Sequence, residues 1–167
     1  MKTKITALIC TALAAGFFSG CSKPETAAPK TETAHKHEHH PPHHGTPVVL
    51  GDEEYHIELV RDAAAGKLSA FVLDGELENF IRIQPESFAV TAKISGRDER
   101  LTLKAVPNSA TGETVGDTSL FEAQADWLKT ETNFDAALVA VNVRGKDYTN
   151  VVFNFPKGND ADATEKK

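Results

Sequence analysis

From residue 46 to residue 157, short runs of alternating or β-branched apolar residues are separated by turn-forming residues. Side chains alternate between the two faces of a strand, so runs of this kind predict β-strands. One helical turn is expected at the end of the 119–127 run. We predict strands over residues 47–50, 54–61, 67–73, 80–83, 88–94, 101–106, 119–127, 137–143 and 148–155.

Eight or nine strands without a long amphipathic helix predict an all-β domain, which we interpret as a single β-sandwich of immunoglobulin-like size over residues 46–157. A domain of roughly 110 residues can bury its own core without disulfides. We therefore expect it to fold without a metal ion or other cofactor. Residues 158–167 are polar and are predicted to be a tail. Such a fold class does not by itself indicate a function.

The start of the chain has a different pattern. A basic stretch with Lys2 and Lys4 precedes an apolar run over residues 5–18. This is the pattern of a secretory signal peptide, and the run is too short to cross a membrane as a helix. Small residues end it just before Cys21. Residues 1–20 are therefore predicted to be cleaved.

The residues at that boundary, Phe18-Ser19-Gly20-Cys21, resemble the lipobox of bacterial lipoproteins. The resemblance implies cleavage before Cys21, which then carries a diacylglyceryl group and an N-acyl chain such as palmitate. More than one acyl chain makes a stable membrane anchor. Ser22 stands where an Asp would imply retention in the inner membrane. The resemblance therefore implies an outer-membrane lipoprotein on the periplasmic side.

A polar linker follows Cys21 and runs to residue 45, and its second half is rich in histidine. Imidazole suits Zn²⁺, Cu²⁺, Ni²⁺ and Co²⁺, and short His-rich tracts are typical of metal binding. With Met1 and Cys10 removed and Cys21 acylated, no free sulfur remains for Cu⁺. Six of the seven histidines lie in this segment: His35, His37, His39, His40, His43 and His44.

Charge narrows the range of partners. The whole chain has a formal net charge of −6, and removing Lys2 and Lys4 with the signal peptide gives −6 − 2 = −8. An acidic chain is a poor ligand for nucleic acid. The 46–157 segment has a single histidine and no cysteine or methionine, and it shows no spacing typical of a catalytic site. We therefore predict no nucleic-acid binding and no enzymatic activity.

His56 and Glu58 are the one pair in the domain with metal-ligand chemistry. Two residues apart on a strand, their side chains leave on the same face, roughly 6.5–7 Å apart. They could share one metal ion with His44 as a third ligand. The alternative is that both belong to the solvent-facing side of an edge strand.

A further resemblance lies in the same region. His43-His44-Gly45, Leu50-Gly51 and residues 55–60 are similar to a stretch of periplasmic adaptor (membrane-fusion) proteins of heavy-metal efflux pumps, which carry a His-Gly step and then a His-x-Glu-Leu strand. The resemblance implies an accessory domain that meets periplasmic metal and metal-transport proteins. The adaptor's helical hairpin and lipoyl-like parts are absent from this sequence.

Two functions therefore stay open. The first is a lipid-anchored cell-envelope protein that binds or buffers divalent transition metal, as an accessory to a metal efflux system. The second is a structural or protein-interaction lipoprotein in which the His-rich segment is only a spacer.

Overall fold

The computed structural model describes residues 40–160. This part of the chain forms eight strands and one short 3₁₀ turn at Asp126–Lys129. The strands are β1 Thr46–Leu50, β2 Tyr55–Asp62, β3 Lys67–Asp74, β4 Ser87–Ile94, β5 Arg97–Ala105, β6 Leu120–Gln124, β7 Phe134–Val143 and β8 Lys146–Phe155.

All eight strands belong to one antiparallel sheet with the order β1-β2-β3-β6-β5-β4-β7-β8. The sheet curls until its two outer strands approach each other. Thr46 Oγ1 donates to the Pro156 carbonyl at 3.2 Å, and Val49 exchanges two hydrogen bonds with the Asn159 side chain. The segment after β8 thus covers the outer edge of β1.

Alternation along the strands places one face of the sheet in the core. Ile57 and Leu59 of β2 are about 1% exposed, and Phe121 of β6 is fully buried. Phe134 and Phe155 stack within the core, with ring centroids 5.1 Å apart. Burial of this continuous apolar face stabilises the domain.

The face of β2 that points away from this core is also buried. His56 and Glu58 are 3% and 0% exposed, although both are polar. On the neighbouring strand β3, Leu73 pairs with His56 in register, so the two side chains lie on the same face of the sheet. Leu73 is fully buried as well. Two covered faces make β2 an interior element, and this arrangement positions the candidate site.

The predicted all-β class is confirmed, and the choice between a sandwich and a barrel stays a prediction. The predicted helical turn is present as the 3₁₀ turn after β6. The predicted strand at 80–83 is wrong, because Phe80 and Ile83 make only isolated bridges, to Leu73 and Thr118. No helix within residues 40–160 has the length and hydropathy needed to cross a bilayer.

Ordered contacts extend past both sequence-predicted limits of the domain. His43 and Gly45, assigned to the linker, contact β2, and Asn159, assigned to the tail, contacts β1. The predicted signal peptide lies outside the described residues, as do Cys21, most of the linker and the last part of the tail.

Candidate functional site

The candidate site is built around Glu58, whose side chain is fully buried in the middle of β2. Glu58 pairs in register with Pro47 of β1 and with Phe71 of β3. Burying a carboxylate is costly unless hydrogen bonds replace the lost water. The partners of Glu58 therefore determine what this site can do.

Those partners come from the His-Gly step that precedes β1. The backbone N–H groups of His43 and Gly45 both donate to Glu58 Oε1, each at 2.8 Å. The His43 ring places Nδ1 2.8 Å from Glu58 Oε2. One buried carboxylate thus receives three hydrogen bonds from two residues of the chain, His43 and Gly45.

Two aromatic side chains hold the His43 ring. The imidazole stacks on Phe71, with ring centroids 3.9 Å apart and an interplanar angle of 16°. Phe80 lies at a tilt, 5.8 Å from the imidazole and 6.0 Å from Phe71. Phe71 reaches this position because it stands directly opposite Glu58 in the β2–β3 register. Stacking and the hydrogen bond together fix both the position and the plane of the imidazole.

This arrangement assigns roles to the two ring nitrogens. Glu58 Oε1 already accepts hydrogen bonds from two backbone N–H groups, and a carboxylate only accepts hydrogen bonds. The proton of the Glu58–His43 contact therefore belongs to Nδ1. In neutral His43 the lone pair is then on Nε2, which has no hydrogen-bond partner among the described residues. The His43 side chain is 39% exposed, so an ion can reach the ring.

Gly45 is required by the close approach of the chain to β2. A Cβ atom on Gly45 would lie 2.6 Å from the Leu59 carbonyl oxygen and 2.8 Å from Glu58 Cγ. The backbone carbonyl cannot move aside as a flexible side chain could. Only a glycine at position 45 therefore lets the chain lie close enough to β2 for the backbone N–H groups of His43 and Gly45 to reach Glu58.

His44 is placed differently from His43. It is exposed, its φ is 56°, and its N–H donates to the Pro41 carbonyl at 3.0 Å, which closes a turn. It lines an open cavity of about 370 Å³ beside Arg61 and Pro156. His43, and not His44, is therefore the histidine that meets Glu58.

His56 takes no part in the Glu58–His43 contact. It is 3% exposed, and its Nδ1 lies 3.3 Å from the carbonyl oxygen of Asp74, at the end of β3. The interpretation of His56 and Glu58 as the solvent side of an edge strand is wrong, because both are buried and β2 lies between β1 and β3.

Of the remaining predicted ligands, only His40 lies among the described residues. His40 is exposed at the start of the described region, and His35, His37 and His39 lie outside it. Within residues 40–160, no group of three His, Cys, Asp or Glu side chains is arranged to hold a metal ion. The structure thus brings Glu58 together with His43 and does not assemble the predicted set of His44, His56 and Glu58.

A second carboxylate cluster lies away from this site. Glu54 Oε2 accepts hydrogen bonds from Lys146 Nζ and from the Tyr148 hydroxyl, both at 2.5 Å. These two hydrogen bonds hold the pKa of Glu54 below its ordinary value. Burial, followed by the hydrogen bond to Glu54, raises the pKa of Tyr148. The cluster joins the start of β2 to β8 and offers no free nitrogen ligand.

Comparison of the chain with protein-family models, with curated proteins and with solved structures gives no match. The function has to be argued from the site.

Sequence reasoning selected Glu58, His56 and the six linker histidines and expected His44 beside Glu58, whereas the structure places His43 there. The available signal was the His-Gly step, since a glycine beside a histidine just before a strand permits close backbone approach. The stacking partners Phe71 and Phe80 carried no signal of their own, because aromatic residues in strands usually indicate core packing.

Proposed function

We propose that this protein is a lipid-anchored cell-envelope protein that binds divalent transition metal at the junction between its His-rich segment and its β domain. Cys21 would carry the lipid on the periplasmic side of the outer membrane. The His-rich segment would gather Zn²⁺, Cu²⁺, Ni²⁺ or Co²⁺, as an accessory to a metal efflux system. His43 is the ligand around which the tightest site would form.

The hydrogen bond between His43 Nδ1 and the buried Glu58 carboxylate supports this proposal. Metal-binding histidines almost always donate the second ring N–H to a carboxylate or a carbonyl, which fixes the tautomer and raises the basicity of the metal-binding nitrogen. Here that nitrogen is Nε2 of a ring already held by Phe71. Glu58 then acts as the orienting carboxylate and not as a ligand.

The other ligands would come from the histidines that precede His43. A histidine on a free chain must lose conformational entropy when it joins a site, which weakens binding. His43 is already fixed, so a site that includes it starts with part of that loss removed. We therefore expect one tight binding event and several weaker ones.

The test is calorimetric titration of the full mature chain with Zn²⁺ and with Cu²⁺. His43→Ala should remove the tightest event, and Glu58→Gln should weaken it roughly 10- to 100-fold, as loss of an orienting partner does in metal proteins. His44→Ala is the matched control, because it removes the same side chain one residue along without touching Glu58. Equal losses from His43→Ala and His44→Ala would contradict the proposal.

A protein-interaction lipoprotein is the second candidate. The observation that favours it is an apolar strip on the outer side of β7 and β8, where Val139 and Val152 are 37% and 65% exposed. These residues line an open groove of about 770 Å³. A protein that retains only weak, non-saturating metal binding after purification in chelator would favour this second function.

A further inference from the structure

His56 is a buried histidine that the proposed metal site does not use as a ligand. Its register partners are Val49 of β1 and Leu73 of β3, both hydrogen-bonded neighbours of β2. Its Nδ1 faces the Asp74 carbonyl oxygen at 3.3 Å. Buried polar side chains normally make hydrogen bonds. The hydrogen bond of His56 is made to the last residue of β3.

Asp74 organises the loop that leaves β3. Its carbonyl also accepts from the Leu77 N–H at 3.2 Å, and its N–H donates to the Asn79 carbonyl at 3.0 Å. Its carboxylate accepts from the N–H groups of Glu78 and Asn79 and, at 2.6 Å, from Asn79 Nδ2. Burial raises the pKa of Asp74, but these hydrogen bonds outweigh it, and the pKa lies below the ordinary value. Asp74 is therefore the residue around which the loop folds.

The loop ends at Phe80, beside the candidate site. Phe80 bridges Leu73, and the N–H of Ile81 donates to the Val72 carbonyl at 2.8 Å, so the backbone at the end of the loop is tied to β3. The Phe80 side chain is 47% exposed, so its own burial holds it only in part. The position of its ring against His43 depends on where the loop places its backbone.

We propose that His56 is a positioning residue for the metal site. Through the Asp74 carbonyl it fixes the 74–80 loop, and the loop holds Phe80 against the His43 imidazole. Phe71 and Phe80 then confine His43 to the orientation in which Nδ1 meets Glu58 and Nε2 is available to the ion. This inference rests on the proposed function, and it gives the His-x-Glu spacing two roles: Glu58 orients the ligand directly, and His56 orients it through the loop.

Phe80→Ala tests whether Phe80 holds the His43 imidazole in place. The change is at an exposed position that the fold should tolerate. Zn²⁺ titration of the full mature chain should show the tightest event weakened about 3- to 10-fold, less than the loss expected when the orienting carboxylate itself is removed. Val152→Ala is the matched control, since it truncates an exposed apolar side chain on β8, a strand that pairs with neither β2 nor β3. An unchanged Zn²⁺ affinity in Phe80→Ala would overturn the proposal.

Two substitutions of His56 test whether this residue fixes the 74–80 loop. His56→Leu removes the donor and should weaken the tightest Zn²⁺ event by a factor similar to that of Phe80→Ala. His56→Asn keeps a donor near the position of Nδ1 and should restore most of the affinity. In a Phe80→Ala background, His56→Leu should cause no further loss, since both act on the same ring. Independent, multiplying losses would show that His56 acts on the site by a route other than Phe80, which would overturn the proposed route through the loop.

NMR of the histidine ring protons separates this inference from the proposed function. The His43 ring protons should shift when Phe80 is truncated and when His56 is replaced by Leu, because both changes alter the aromatic ring above the imidazole. If the wild-type chain has no His43-dependent tight event, the proposed function fails. If that event is present and both variants leave the His43 signals and the affinity unchanged, only the positioning role of His56 fails.

Discussion

Val49 and Asn159 exchange two hydrogen bonds across the outer edge of β1. The Val49 N–H donates to Asn159 Oδ1 at 2.7 Å, and Asn159 Nδ2 donates to the Val49 carbonyl at 3.2 Å. One side-chain amide thus satisfies the strand as a neighbouring strand would. Unpaired edges are sites of unwanted strand addition, so this amide protects β1 as well as stabilising it.

We predict that Asn159→Ala lowers the free energy of unfolding by about 1–2 kcal/mol, the net contribution of two such hydrogen bonds. Urea unfolding followed by fluorescence of the single tryptophan measures the change. Gln124→Ala is the control, because Gln124 is an exposed amide on β6. A loss no larger than that of the control would show that water replaces Asn159 at this edge.

Gly45→Ala should separate the His-Gly step from β2. Its Cβ would meet the Leu59 carbonyl at 2.6 Å, so the backbone has to move and the hydrogen bonds to Glu58 are lost. We expect loss of the tightest Zn²⁺ event together with a lower melting temperature. Titration and thermal melts of the same sample measure both.

Gly96→Ala provides the comparison for that variant. Its φ of 79° makes alanine unfavourable, but a Cβ there would contact nothing. It should therefore lower stability without altering Zn²⁺ affinity. If Gly96→Ala weakens the tightest Zn²⁺ binding event as much as Gly45→Ala does, the Zn²⁺ affinity depends on overall stability and not on the contact of His43 with Glu58.

Alkaline pH should destabilise the domain through Tyr148. Its pKa is raised from the ordinary value of 10.0 by burial and by the hydrogen bond to Glu54. The folded state therefore favours the neutral phenol, and this stabilisation is complete below pH 10. It is lost as the pH rises above 10, because the unfolded chain then releases the proton while the folded chain retains it.

Urea unfolding at a series of alkaline pH values checks this sign. The wild-type free energy of unfolding should fall above about pH 10, and Tyr148→Phe should flatten that fall. Tyr55→Phe, which removes the only other tyrosine, should leave it in place. An identical decline in wild type and Tyr148→Phe would assign the alkaline loss to other groups.

The described domain should fold without metal. Its core is apolar and continuous, and the chain offers no cysteine beyond Cys10 and Cys21 for a structural site. Thermal melts in chelator and in reductant should therefore match the untreated melt within a few degrees. A large loss of stability in chelator alone would make the metal structural.

Cys21→Ser should block maturation of the precursor. The lipobox-like residues that end at Cys21 imply that lipidation precedes cleavage of the signal peptide. Mass spectrometry and membrane fractionation of cells that express each form measure the change. Ser22→Ala is the control, since it keeps the cysteine. Normal processing and unchanged fractionation of Cys21→Ser would contradict the predicted anchor.

The sequence by itself determined the all-β class and the approximate position of nearly every strand. Alternation of apolar side chains is a local property, and each strand from β1 to β8 shows it without reference to its neighbours. The apolar pattern at 80–83 was misleading, because Ile81 and Ile83 are buried in a segment that makes only isolated bridges. Burial alone produces an apolar pattern, whether or not strands pair.

The partner of Glu58 was decided only by the tertiary structure. Alternation predicts that His56 and Glu58 share a face, but it does not say whether that face is covered. The register of β2 with β3 brings Phe71 opposite Glu58. The turn before β1 then brings His43, not His44, into contact with both side chains. Both contacts join residues 13 or more positions apart in the chain, and no local pattern encodes such a distance.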